Sequence, residues 1–493
     1  MSNKISLKKN FLYNFSLNII NILFPLLVSP YVSRILGVSN IGKYSFSLAL
    51  INWFLIFATF GTTIYGIREI SKVREDQKQL NKTFSEIFVI NFITTFITLI
   101  VYLLIIISIY FNSNNKEVLL LLIFALSIFL NLFCIDWLYM GLENFKTIAL
   151  RSLLIKLISL ICIFLFIQER NDYILYALIS ILAFGFANIL NLVYSKRFVK
   201  LTLKNLSLKH HIRKLSVFFY SNLVISMYTI FDQVLLGFLS TNRDVGYYSR
   251  AKQIYSVSLS VTLSISTVLL PKLANLFKND FRKYEVTLKK SINYIYIFSV
   301  PSVLGLIVLS KDIMWFFGGE EFEEAFISLI ILSMLVFTVS LSTWQYNQIF
   351  VPFGKEVIGL KSQIFMAVVS ILSNLLLIPL YGYIGASISL LIAEISGTIY
   401  GVYYAKKKIS ELSIQYITNS LIKYIFSSMI MATFIIIFKL FDFGYLINIS
   451  FGIFFGAIIY FGILYFIKDE VCSLFINYVM AKFRILFNKI KFL

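Results

Sequence analysis

Seven ionisable side chains lie inside long apolar runs of this 493-residue chain: Arg34, Asp136, Lys156, Asp232, Arg250, Lys252 and Glu394. A charge in hydrocarbon is costly unless it is paired or wetted, so each of them is a functional candidate. Arg34, Arg250 and Lys252 are cations that would attract phosphate strongly in a low dielectric. Asp232 and Glu394 are carboxylates that could take a coupling ion or a proton. Asp232 falls about seven residues, or roughly 10 Å, from the end of its run. Ordinary readings stay open beside these. Arg34, Arg250 and Lys252 could snorkel to the outer headgroups. Asp232 could pair with Arg250 across a turn, and Asp136 could hydrogen-bond a helix end at the inner interface. Glu394 is harder to explain in this way, because apolar residues extend on both sides of it.

Polar stripes accompany the charges. Asn10, Asn14, Asn18 and Asn21 recur at a spacing that places all four on one helical face. A later run carries Ser256, Ser258, Ser260, Thr262, Ser264, Ser266 and Thr267. That is more hydroxyls than one packing seam uses, and it reads as a wetted wall. Interhelical hydrogen bonding is the alternative for both stripes. Asn18, Asn21, Ser256 and Ser260, with the three cations, are therefore the candidate substrate contacts. Pro25 and Pro30 remove backbone donors from the first run and should bend it. No catalytic or metal-ligating set is visible. Cys134 and Cys162 lie in apolar runs, Cys472 lies in the tail, and their spacing suggests neither a metal site nor a disulfide framework. His210 and His211 fall in a basic loop, where both are expected to be solvated.

The elements that must position these residues follow from composition. The chain is 59% hydrophobic and 14% charged, with a mean hydropathy of +0.85, against roughly a quarter charged in soluble domains. Such a chain needs a lipid solvent, where only helices and closed barrels satisfy every backbone group. The apolar runs are long and continuous, so helices are expected. A span needs about 20 apolar residues. About fourteen runs meet that length, starting near Phe11, Tyr44, Phe84, Val118, Ser152, Tyr173, Leu215, Ser249, Ser291, Ala325, Ser362, Gly385, Leu421 and Tyr445. The first has a basic flank but is too long for a signal peptide and lacks a small-residue cleavage site. With the N-terminus inside, about 34 of the 44 Lys and Arg residues fall on the cytoplasmic side. The formal charge of +20 is thus accounted for by topology, which removes the case for nucleic-acid binding. Both termini are expected in the cytoplasm. The basic tail from Asp469 to Leu493 reads as an amphipathic helix on the inner surface.

The chain also repeats itself. Leu36-Gly37, Gly42 and Tyr44-Ser45 are echoed by Leu236-Gly237, Gly246 and Tyr248-Ser249. Trp137 and Tyr139 are echoed by Trp344 and Tyr346, and Tyr194-Ser195-Lys196-Arg197 by Tyr404-Ala405-Lys406-Lys407. All fall at an offset of about 200–210. Six helices per repeat is an even number, so both halves enter from the same side. That is a parallel pseudo-two-fold repeat, with substrate sites expected between the halves near the midplane. The expected organisation is an all-α polytopic membrane protein. Its parts are an N-terminal lobe over 1–200, a C-terminal lobe over 201–410, and two further helices with the tail over 411–493. No loop approaches the roughly 50 residues of a soluble catalytic domain.

At this point the residues resemble a family. Ser33-Arg34-Ile35-Leu36-Gly37 with Ile41-Gly42-Lys43-Tyr44 is similar to the opening signature of Wzx-type polysaccharide flippases, as is Tyr65-Gly66-Ile67-Arg68-Glu69-Ile70. Asp136-Trp137-Leu138-Tyr139-Met140-Gly141-Leu142-Glu143-Asn144-Phe145-Lys146 resembles their fourth-helix motif, with Met140 where the family usually has Gln. Asp232-Gln233-Val234-Leu235-Leu236-Gly237, Val245-Gly246-Tyr247-Tyr248-Ser249, Leu269-Leu270-Pro271 and Ile378-Pro379-Leu380-Tyr381-Gly382-Tyr383-Ile384-Gly385-Ala386 continue it. The likeness runs from about Asn10 to Lys408; the last two helices match by position alone. It implies the MOP superfamily, a bacterial cytoplasmic membrane, and alternating access around a cationic cavity. No cofactor is implied beyond coupling to a proton or sodium gradient or to membrane potential. The implied substrate is an undecaprenyl-diphosphate-linked oligosaccharide bound for capsule, O-antigen or exopolysaccharide assembly. Membrane lipids and a polysaccharide polymerase are the implied partners. Arg34 and Arg250 become the candidate pyrophosphate cations. The main alternative is a MATE-like drug or cation antiporter of the same fold, which would favour an acidic, aromatic-lined cavity. A membrane polymerase or acyltransferase would be expected to carry large outside loops with catalytic Arg and His, and a scaffold would have no use for deep charges.

Overall fold

The computed structural model describes residues 7–110, 116–204, 206–409, 412 and 415–474. The surface helix expected over Asp469–Leu493 lies outside the described residues beyond Leu474, as do the basic residue Lys4 and the side chain of Asn14. Among the described residues the secondary structure is helical, with no strand. The helices are α1 (Leu7–Thr59), α2 (Thr62–Val73), α3 (Gln77–Tyr110), α4 (Lys116–Asn131), α5 (Asp136–Gly141), α6 (Phe145–Phe166), α7 (Tyr173–Ser195), α8 (Leu208–Thr229) and α9 (Phe231–Leu239). They continue with α10 (Asn242–Asn279), α11 (Phe281–Gly318), α12 (Phe326–Gln345), α13 (Glu356–Lys408), α14 (Asn419–Lys439) and α15 (Tyr445–Phe466).

Eleven of these helical segments are long and apolar enough to cross a membrane, or twelve if the α8–α9 pair, bent by 45°, is one span. The chain is therefore a multi-pass membrane protein. Two helices exceed a single crossing. At 1.5 Å per residue, α1 and α13 are each about 80 Å long against a hydrocarbon core of about 30 Å. Each is interrupted once, at Gly37 (φ 74, ψ 167) in α1 and at Gly382 (φ 52, ψ −128) in α13. Positive φ is cheap only for glycine, so these two residues set where the long helices break. α1 continues as helix through Pro25 and Pro30.

The chain divides into two compact units, Met1–Gly246 and Tyr247–Leu493. In the first, α1 packs on α3, α4, α6 and α9, while α2 and α3 hold α8. Lipid tails supply no hydrophobic force between helices, so close packing and polar links must join them. Gly185 of α7 lies against Leu130 of α4, and Gly66 of α2 against the Trp137 ring. Gly42 and Gly246 allow backbone-to-backbone approach: a Cβ on Gly42 would sit 1.6 Å from the Asn242 carbonyl oxygen, and one on Gly246 2.3 Å from that of Val38. The core of this unit gathers Tyr65, Phe84, Trp137, Tyr139 and Leu215. In the second unit α11 packs on α12, α14 and α15, and α12 on α13. Asp280 caps α11 by accepting the Lys283 N–H at 3.0 Å.

Candidate functional site

In the first unit, α1 presents the asparagine stripe. Asn10 is buried, whereas Asn18 and Asn21 are exposed. Asn21 Oδ1 accepts the Lys156 ammonium of α6 at 2.5 Å, and the same ammonium lies 5.5 Å from the centroid of the Phe24 ring. The structure thus joins one expected substrate contact to a lysine that the sequence flagged without a role. Further along α1, Arg34 is exposed, three residues before the break at Gly37. Asp232 opens α9 fully buried and accepts the Gln233 N–H at 2.7 Å, while the Gln233 side chain donates to the Ser45 carbonyl of α1 at 2.9 Å. Asp136 starts α5, where the Arg151 guanidinium of α6 reaches it at 3.0 Å and the Asn191 amide of α7 donates to it. Its role is to tie three helices, not to cap one. Arg151 and Asn191 carried no signal in the sequence beyond their polarity.

The histidine pair departs from its expected solvation. His210 is exposed, next to Lys214, but His211 is only 6% exposed. Its Nδ1 lies 2.7 Å from the Tyr65 hydroxyl of α2, and its Nε2 lies 2.9 Å from Glu86 Oε2 of α3. Glu86 Oε1 also accepts the Ser207 N–H at 2.6 Å. With Glu86 ionised, Nε2–H donates to the carboxylate and Nδ1 accepts from the tyrosine. The reason is that α8 starts at Leu208, so the segment read as a loop is already helical. His211, Leu215 and Phe219 recur every four residues and share the buried face. That spacing was the signal available in the sequence.

In the second unit, α10 carries Arg250, Lys252 and the hydroxyl series. Arg250 is 8% exposed, and its Nη1 donates to Gln253 Oε1 one turn on, at 2.6 Å. The Lys252 ammonium lies 5.0 Å from the Tyr248 ring centroid. The hydroxyls split into two sets. Thr262 and Ser266 are buried: the Thr262 hydroxyl lies 2.6 Å from that of Ser340, and the Ser266 hydroxyl accepts the Asn347 amide at 3.3 Å. Ser256 and Ser260 instead donate to carbonyls of their own helix, those of Gln253 and Ser256, both at 2.7 Å. Glu394 is 5% exposed on the face of α13 that also buries Ala393, Gly397 and Thr398. Among the described residues no donor reaches its carboxylate. Asp312 of α11, Lys439 of α14 and Asn448 of α15 form a closed set: the lysine pairs with the acid, and Asn448 donates to it at 2.9 Å. An apolar cavity of about 340 Å³ lies between α11, α14 and α15, lined by Leu306, Leu309, Met431, Ile435 and Ile453 among others.

No group of three or more metal-ligating side chains occurs among the described residues. Each unit by itself presents cations and neutral polar groups on its membrane helices, and in the second unit Glu394 is a carboxylate without a donor among the described residues.

Solved structures share the fold: the lipid II flippase MurJ in an inward closed conformation matches with a TM-score of 0.72 at 20% identity, covering 94% of this chain and 100% of that one. An inward-facing multidrug-resistance MATE transporter of the MOP superfamily matches with a TM-score of 0.66 at 13% identity, covering 81% and 98%. Among curated relatives, a protein of Escherichia coli (strain K12) named for O-antigen transport is 26% identical over 400 residues, 80% of this chain and 95% of its own. The capsular polysaccharide biosynthesis protein CapF of Staphylococcus aureus is 25% identical over 412 residues, 81% and 99%. The family model described as polysaccharide biosynthesis protein matches residues 7–277, more than half of the chain. The chain belongs to the polysaccharide biosynthesis protein family.

Proposed function

We propose that this protein is a flippase. It moves undecaprenyl-diphosphate-linked oligosaccharide repeat units from the cytoplasmic to the outer leaflet of a bacterial cytoplasmic membrane, by alternating access, for capsule, O-antigen or exopolysaccharide assembly. The observation that carries this reading is Arg250, a guanidinium buried in a membrane helix and oriented by Gln253. A planar, fixed cation in low dielectric suits a diphosphate. Arg34 and Lys252 supply further charge, and Asn18, Asn21, Ser256 and Ser260 face the sugars. Asp232 and Glu394 take the coupling ion; Glu394, buried with no donor on its carboxylate among the described residues, is completed by a cation. The apolar cavity beside α14 and α15 has room for part of a polyprenyl chain.

The functional lobes in this reading are the repeats 1–200 and 201–410, with 411–493 appended. The chain crosses fourteen times, which the 53-residue lengths and single breaks of α1 and α13 support, and both termini are cytoplasmic. Transport proceeds without catalysis, and a polymerase receives the product. The test is translocation of a lipid-linked repeat unit in reconstituted vesicles by wild type, Arg250→Ala and Glu394→Gln. The wild type should expose glycan to an outside probe, and Arg250→Ala should lose at least about ten-fold in rate while remaining folded. Movement of a cationic dye with no movement of lipid-linked glycan would establish the drug-antiporter alternative instead.

A further inference from the structure

Lys156 is the twelfth of the 22 residues of α6, in the run IALRSLLIKLISLICIFLF. Some ten residues separate it from either helix end, or about 15 Å. A four-carbon stem does not span that distance, so snorkelling to an interface fails to account for it. Among the described residues no carboxylate pairs with it. Its neighbours are neutral: Asn21 Oδ1 at 2.5 Å and the Phe24 ring at 5.5 Å, both on α1. Five residues earlier on the same helix, Arg151 has its own acid in Asp136. The lysine is half-buried, and Asn21 beside it is exposed.

The asparagine has a direction. Its oxygen faces the ammonium, so its NH₂ group points away from the oxygen and is left to donate elsewhere. Asn18 lies one turn earlier on the same exposed stripe. A cation held by an amide and a ring, with a second donor group alongside, is an arrangement that an anion completes. We infer that Lys156 and Asn21 form an anion-binding subsite, with Phe24 holding the lysine stem and ammonium in place. The inference rests on the flippase reading for its substrate. The shared chemistry is an oxyanion, from the diphosphate of the lipid carrier or from an acidic sugar of the repeat unit.

Two probes separate those sources: undecaprenyl diphosphate, and a lipid-free uronic-acid oligosaccharide. Undecaprenol serves as the uncharged control. Binding to the full-length protein in nanodiscs is measured for wild type, Lys156→Gln, Lys156→Arg and Asn21→Asp, each checked for an unchanged size-exclusion profile and melting temperature. Lys156→Gln should weaken one anionic probe by about ten-fold or more while leaving undecaprenol unchanged. Lys156→Arg should stay within about three-fold of wild type. Asn21→Asp should match Lys156→Gln, because its carboxylate neutralises the ammonium. A loss confined to undecaprenyl diphosphate assigns the subsite to the lipid carrier; a loss confined to the oligosaccharide assigns it to the glycan. Equal binding of both anions by wild type and Lys156→Gln overturns the subsite. So does a wild type that binds neither anion. Vesicle translocation by the same wild-type preparation then shows whether the flippase reading survives on its own.

Discussion

Two lysines in this protein sit beside an asparagine, and they differ in what completes them. Lys439, at the last turn of α14, pairs with Asp312, donates to the Val308 carbonyl at 3.0 Å, and shares the acid with Asn448. Acid, base and amide close on one another, and three helices of the second unit are stapled together. Lys156, in the middle of α6, has the amide and a ring but no acid among the described residues. The first arrangement carries its own counter-charge, and it holds α14 and α15 to α11. The second is left with a net charge in an apolar setting, which is what a transporter requires of a group that must meet its cargo. A buried charge is therefore not in itself a functional sign; the absence of its counter-charge is.

The largest effect should come from breaking the closed set. Asp312→Ala leaves Lys439, a quarter exposed, with the Val308 carbonyl but no counter-charge, and should destabilise the second unit by about 3 kcal/mol, the lower end for a broken buried pair. A lowered melting temperature of the detergent-solubilised protein would report it. The paired replacement Asp312→Leu with Lys439→Met should recover most of that loss, since well-packed apolar residues often match a buried ion pair. The next effect concerns the Tyr65–His211–Glu86 set, also closed. His211→Phe strands a buried carboxylate and a tyrosine hydroxyl, and should cost about 1–3 kcal/mol. Faster hydrogen exchange in the first turns of α8 than in wild type would be the local sign. The smallest effect on stability belongs to Lys156→Met. It should leave the melting temperature unchanged or raised, with a change within about 1 kcal/mol, while translocation falls. A drop as deep as that of Asp312→Ala would show that the two lysines do the same job and would erase the distinction drawn between them.

The sequence by itself determined the solvent, the helices and the family. Apolar runs long enough to cross a bilayer, with charge biased to one side, leave no other fold class, because hydrocarbon offers backbone groups no partner. Leu36-Gly37 was legible as a repeat and motif element and Tyr381-Gly382 as a motif element, but that Gly37 and Gly382 take a positive φ and break the long helices was shown only by the fold. The chain also showed some of the ionisable residues that lie deep, Asp232, Arg250 and Glu394 among them, but it missed Asp312 and Glu86 and it counted Arg34, which is exposed. It could not show which of them were answered. Asp136 meets Arg151 and Asn191, and Asp312 meets Lys439 and Asn448, across sequence separations from 15 to 136 residues. His211 looked solvated until the start of α8 turned it onto Tyr65 and Glu86, 146 and 125 residues away. Lys156 gained a partner 135 residues back in the chain. Charge is a property of a residue, but neutralisation is a property of a pair, and the helical packing alone decides which pairs meet.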